Sequence, residues 1–198
     1  MGEFVRKLPA KLLTIVVLAL LVAGSWQFGN GIYIFGKARL AQILLSSAWA
    51  RTTQDDAPIA PWPWADTYPL ARLEVPGLDI DQIILAGASG RTLAFGPAHI
   101  SGSALPGGPG TSIISGHRDT HFEFLRHLRT DDLLVVSGAG DRQQQYRVKR
   151  TEILDTRMQK LRVDPASDAL ILATCFPFDA LIPGGPLRYL VHAAAVIQ

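Results

Sequence analysis

Between Lys11 and Lys37 the chain carries no charged residue, and Leu12 to Phe35 consists mostly of Leu, Val, Ile, Ala, Gly and aromatic residues. As a helix, those 24 residues extend about 36 Å, enough to cross a hydrocarbon core of about 30 Å with some tilt. The segment therefore predicts a transmembrane helix over 12–36. Arg6, Lys7 and Lys11 precede it, so the positive-inside rule keeps residues 1–11 in the cytoplasm and puts the remainder outside. A cleaved signal peptide is the competing reading, with a basic start, an apolar Leu12 to Ala23 and small residues Ala23, Gly24 and Ser25. Retention is favoured because Trp26, Phe28, Ile32, Tyr33, Ile34 and Phe35 prolong the apolar run and supply interfacial aromatics.

Charge divides the same way. Residues 1–50 hold five Lys or Arg against Glu3, whereas residues 51–198 hold fourteen against sixteen Asp or Glu. The overall net charge of +2 is thus a topology signal, and no clustered basic face points to a nucleic-acid partner.

Lys37 to Ala50 places Leu40, Ile43, Leu44 and Trp49 at roughly helical spacing. A juxtamembrane helix and linker are expected over 37–57. Arg51 to Pro69 reads as linker, its four prolines Pro58, Pro61, Pro63 and Pro69 opposing regular structure. Trp62 and Trp64 are expected to cover part of the following domain, 58–198.

From Ala71 onward the pattern changes to short strands with turn signals. Strands are expected over 71–75, 80–85, 111–115, 133–137, 144–153, 169–174 and 187–196, with 92–99 ambiguous between strand and short helix and a helical turn or two over 122–128. Eight or so strands with few helices predict a mainly β domain, a closed or nearly closed barrel.

One strand carries special interest. Ala169 to Phe178, A-L-I-L-A-T-C-F-P-F, leads to Cys175, the only cysteine. A lone thiol where a strand opens into a loop is either a nucleophile or a small buried hydrophobe. A nucleophile needs a basic or cationic neighbour, because an ordinary thiol is mostly protonated at neutral pH. His117 ends the apolar run T-S-I-I-S-G-H, and Arg118, Asp119 and Thr120 follow it as a polar cluster. Arg188, in L-R-Y-L-V-H, begins the strand after the cysteine strand and shares a face with Leu190 and His192. A hairpin would set it beside the thiol as an oxyanion stabiliser, the alternative being a structural ion pair with Asp179. Zinc ligation by His117, His121 and Cys175 is disfavoured, since the H-x-x-x-H lies in a loop and no second cysteine exists. No G-x-S-x-G elbow supports a serine hydrolase.

Three ordered segments, S-G-H-R-D-T-H-F from Ser115, A-T-C-F-P-F from Ala173 and L-R-Y-L-V from Leu187, together resemble the sortase family of membrane-anchored cysteine transpeptidases. F-G-P-A-H-I from Phe95 and L-P-G-G-P-G from Leu105 also look like that family, and P-W-P-W-A-D from Pro61 is similar to the proteobacterial class GN sortases. The resemblance implies a closed eight-stranded sortase-type β-barrel with short helices, preceded by the transmembrane helix. It implies Cys175 as nucleophile towards the threonine carbonyl of an LPxTG-like signal, His117 as ion-pair partner and acid, and Arg188 as oxyanion and backbone binder. Thr174 and Asp119 are expected around them as supporting residues. No cofactor or metal is expected.

Implied partners are a dedicated exported substrate protein with a C-terminal sorting signal, an amine acceptor and the membrane. The implied location is the inner membrane, single-pass, with the catalytic domain periplasmic. Ala173 stands where many members have a bulkier residue in a T-L-x-T-C pattern, which bears on substrate specificity. Rival readings are a cysteine protease hydrolysing sorting-type peptides and a catalytically silent membrane-anchored binding module.

Overall fold

The computed structural model describes residues 10–55, 57–139, 142–161, 163, 167–180, 182 and 184–196. Arg6 and Lys7, which carry part of the topology signal, lie outside the described residues. The chain divides into two compact units, Met1–Ala41 and Gln42–Gln198.

Helix α1 covers Ala10–Asp55. Within the first unit its described side chains are largely exposed and apolar, including Leu18, Leu21, Trp26 and Phe28, and the helix is long and apolar enough to cross a membrane. The helix runs on through Asp55, five residues into the expected linker, because no proline intervenes before Pro58.

In the second unit, the end of α1 supplies Leu45, which is buried with Leu85 and Ala98 beside Trp62, Ile83, Leu93 and Phe95. Gln42 Nε2 donates to the Phe95 carbonyl at 2.8 Å. Trp62 meets Phe95 edge to face at 5.1 Å and so covers the domain as expected, whereas Trp64 is 82% exposed.

Eight strands close into a barrel: β1 (Pro69–Val75), β2 (Ile80–Ala86), β3 (Ala98–His99), β4 (Thr111–Ser115), β5 (Leu133–Gly138), β6 (Gln143–Asp155), β7 (Ala169–Cys175) and β8 (Leu187–Ala195). Their order around the barrel is β1-β2-β3-β4-β7-β8-β6-β5, closed by antiparallel pairing of β1 with β5. Pairs β2–β3 and β4–β7 are parallel. The ambiguous 92–99 region resolves into both alternatives. Ser89 accepts a hydrogen bond from the Thr92 backbone N–H at 3.1 Å and caps the short helix α2 (Gly90–Leu93), after which β3 forms.

Alternation fills the interior. Leu73, Ile84, Ile114, Leu134, Leu170, Leu172 and Val191 join Phe122 and Leu125 of the β4–β5 connection in one core. A smaller cluster lies on the opposite face of the neighbouring strands: Ile113 of β4, Ile171 of β7, Leu190 of β8 and Leu154 of β6, with Ala173 and Leu161 against it. Because side chains alternate, that second face also receives Cys175 and Arg188.

Candidate active site

Strand β7 is sandwiched between β4 and β8, and this arrangement assembles the candidate residues. Along the parallel β4–β7 pair, Ser115 is level with Ala173. The Gly116 N–H continues the ladder to the Ala173 carbonyl at 3.1 Å, so His117 and Cys175 leave the two strand ends in step. Thr174 faces the interior, 2% exposed, and its hydroxyl donates to the Gly116 carbonyl at 2.7 Å. That bond ties the backbone just before His117 to the backbone just before Cys175. Gly116 is required by close approach: a Cβ there would lie 2.7 Å from the ring of Phe122, which is fully buried.

Across the antiparallel β7–β8 pair, Cys175 and Arg188 are direct partners. The Arg188 Nη1 donates to the carbonyls of Gly185 and Leu187 at 2.6 and 2.9 Å. Among the described residues its Nε and Nη2 make no hydrogen bond, so two donors of the fork remain for a ligand. Arg188 forms no ion pair with Asp179 among the described residues. Cys175 is half-buried, and the His117 side chain is exposed.

Arg118 is the residue that sequence reasoning passed over. Only 6% exposed, it reaches from the histidine loop to the loop after the cysteine. Its Nη1 donates to the Pro177 carbonyl and its Nη2 to the Ala180 carbonyl at 2.9 Å. Nε and Nη2 bind the Asp119 carboxylate at 2.7 and 3.3 Å. A buried guanidinium with its donors engaged is a rigid clamp. Asp119 is thereby assigned a position: the Arg118 guanidinium holds its carboxyl below the ordinary carboxylate range, with burial opposing and the His117 charge adding a smaller effect. A charged guanidinium here also lies within electrostatic reach of Cys175.

The same loop is propped from beneath. Phe176, Phe178 and Tyr189 form an aromatic trio with centroid separations of 5.1 to 6.2 Å, and the Arg126 guanidinium sits over Phe178 at 4.8 Å. His121, four residues beyond His117, is shifted down, first by burial and then by the charge of His117, against a backbone bond to Ala94. Among the described residues no group of three His, Cys, Asp or Glu side chains is placed to hold a metal ion.

A half-buried thiol, an exposed imidazole leaving the adjacent strand in step with it, and a guanidinium opposite with free donors form an arrangement suited to acyl transfer. The sortase domain profile matches residues 73–196, and the chain belongs to the sortase family. Among curated proteins it resembles Sortase D of Bacillus subtilis (strain 168), 29% identical over 126 residues that make up 63% of this chain and 62% of that one. Among solved structures it resembles sortase A from Corynebacterium diphtheriae, at 27% identity and TM-score 0.57 over 68% of this chain and 64% of that one. It also resembles sortase C-1 from Actinomyces oris, at 28% identity and TM-score 0.55 over 66% and 76%. The fold is shared with a Clostridium perfringens Sortase D5 transpeptidase at 18% identity and TM-score 0.62, over 80% of this chain and 99% of that one. The chain thus spans a little under two thirds of Sortase D and of the corynebacterial sortase A.

Proposed function

We propose that the protein is a membrane-anchored cysteine transpeptidase acting on an LPxTG-like sorting signal. The observation that carries this reading is the register of β4, β7 and β8, which ends His117 and Cys175 in step and opposes Cys175 to Arg188.

In the proposed reaction the Cys175 thiolate attacks the threonine carbonyl carbon. The carbonyl electron pair moves onto oxygen, where the free Arg188 donors stabilise the oxyanion. Collapse breaks the peptide bond as protonated His117 gives its proton to the leaving amine, and a thioester remains. An acceptor amine then attacks the thioester, losing its proton to His117 and restoring the thiolate. Thr174 and Asp119 act as positioning residues, the first through Gly116 and the second through Arg118.

The membrane segment over 12–36, with residues 1–11 cytoplasmic and a periplasmic catalytic domain over 58–198, belongs to the same proposal. Its support is the apolar exposed helix and the basic residues before it. Placement in class GN, with a dedicated exported substrate protein, rests on the Pro61–Asp66 segment alone; the similarity to Sortase D does not carry it.

Mass spectrometry after incubation with an LPxTG peptide, with and without an added amine, tests the reading. A peptide adduct on Cys175 and amide product with the amine are expected. Free acid as the sole product would identify a protease, and absence of any adduct on the folded protein would leave a binding module.

A further inference from the structure

A cavity of about 750 Å³ opens on the outer face of β6 and β8, lined by Arg150, Glu152, Leu154, Met158, Lys160 and His192 among others. Strand register connects it to Cys175. Reading across β7, β8 and β6, Cys175 is level with Arg188 and Leu154, Ala173 with Leu190 and Glu152, and Ile171 with His192 and Arg150. These three rows share one face, and Ile113 of β4 extends the third.

A β-bulge makes the last row possible. Val148 pairs with Ala193, but Arg150 pairs with His192, so β6 carries one extra residue between them. Val148 lies in the barrel core, and the extra residue turns Arg150, Glu152 and Leu154 to the opposite face, where Leu154 joins the outer cluster.

The charges there are partly matched. Glu152 Oε2 takes hydrogen bonds from Arg150 Nη1 at 2.6 Å and from His192 Nε2 at 3.0 Å. Lys160 makes no ion pair among the described residues, so with Glu152 neutralised by Arg150 the lining keeps one unmatched positive charge.

Rise along a strand is about 3.3 Å per residue, so the third row lies about 13 Å from the thiol measured along the strand direction. An extended peptide whose scissile threonine sits at Cys175 has the leucine of an LPxT segment about 10 Å away and the preceding residue about 13 Å away. The acyl half stays bound through both chemical steps while the amine half is exchanged, so a subsite on this face suits the acyl half.

We propose that this cavity is a specificity subsite for an acidic side chain immediately before the sorting motif, bound by Lys160. The inference rests on the transpeptidase reading above and names which substrates that site prefers.

The test measures binding of fluorescent peptides Gly-X-Leu-Pro-Ala-Thr-Gly, with X glutamate or lysine, to the Cys175→Ala protein, and adduct formation with the wild type. The glutamate peptide should bind about fivefold tighter than the lysine peptide, and Lys160→Glu should abolish or invert that preference. Equal binding of the two peptides, or a preference that survives Lys160→Glu, overturns the subsite while leaving the transpeptidase reading intact. Failure of both peptides to bind or to form an adduct overturns the LPxTG reading and the subsite with it. Lys160 is exposed, so its replacement leaves the fold unaffected.

Discussion

Cys175 and Arg188 stand directly opposite one another at the open end of the β7–β8 pair, and among the described residues the arginine spends only Nη1 on its own loop. The remaining donors lie on the edge of the guanidinium plane, which an ammonium cannot reproduce. Arg188→Lys should therefore fold normally and lose about 10²-fold or more in kcat. Single-turnover acylation by the LPxTG peptide checks this; a rate near wild type would remove Arg188 from the oxyanion role.

Cys175→Ala removes a half-buried sulfur and little volume. Its thermal midpoint should stay within a few degrees of wild type, a change of about 1 kcal/mol or less. Adduct formation should vanish. A residual adduct at any other side chain would show that the thiol is not the nucleophile.

Arg118 holds two carbonyls of the loop that follows Cys175. Lysine keeps the charge but cannot satisfy both carbonyls and Asp119 together. Arg118→Lys should thus loosen residues 176–180, seen as faster amide exchange there, and raise KM more than it lowers kcat. Unchanged exchange combined with unchanged KM would mean the clamp has no bearing on the site.

Gly116→Ala places a methyl group into the Phe122 ring. Overpacking of this kind costs about 1–3 kcal/mol, and relief by backbone movement shifts His117 out of step with Cys175. Both a lower thermal midpoint and slower acylation are expected. Normal stability with normal acylation would contradict the close approach.

Stability should fall on mild acidification. His121 and His192 are both shifted below the usual imidazole value, each first by burial. The unfolded chain therefore binds more protons as pH drops below about 6.5, so folding free energy declines from there down through the folded-state values. Glu152, held low chiefly by Arg150, follows the same direction only at lower pH. Thermal midpoints between pH 7.5 and pH 5, on the order of that titration range, should decrease, and the slope should flatten in His121→Gln. A midpoint that rises with acidification would refute the assignment.

The individual chemical groups were legible because each sits where an apolar strand breaks into turn residues: His117 after T-S-I-I-S-G, Cys175 after A-L-I-L-A-T, Arg188 at the head of L-R-Y-L-V. The meeting of Cys175 with Arg188 followed from the expected hairpin, but that of His117 with Cys175 was not legible, since the Thr174–Gly116 bond joins positions 58 residues apart and parallel pairing leaves no mark on local periodicity. For the same reason Arg118 was legible only as part of the polar cluster that follows His117. Its burial comes from the carbonyls of Pro177 and Ala180, 59 and 62 residues away. The bulge after Val148 was hidden too, because Lys149 to Glu152 are all polar and carry no alternation that could show the change of face.

The parallel neighbourship of β4 and β7 also fixes when the surroundings of Cys175 come together. During synthesis the histidine strand is complete more than fifty residues before Cys175 exists; β7 then pairs with β4, and β8 enters last, between β7 and β6. The final strand, β8, supplies Arg188. A nascent or partly unfolded barrel thus holds the thiol without its electrostatic surroundings, which are completed together with ring closure.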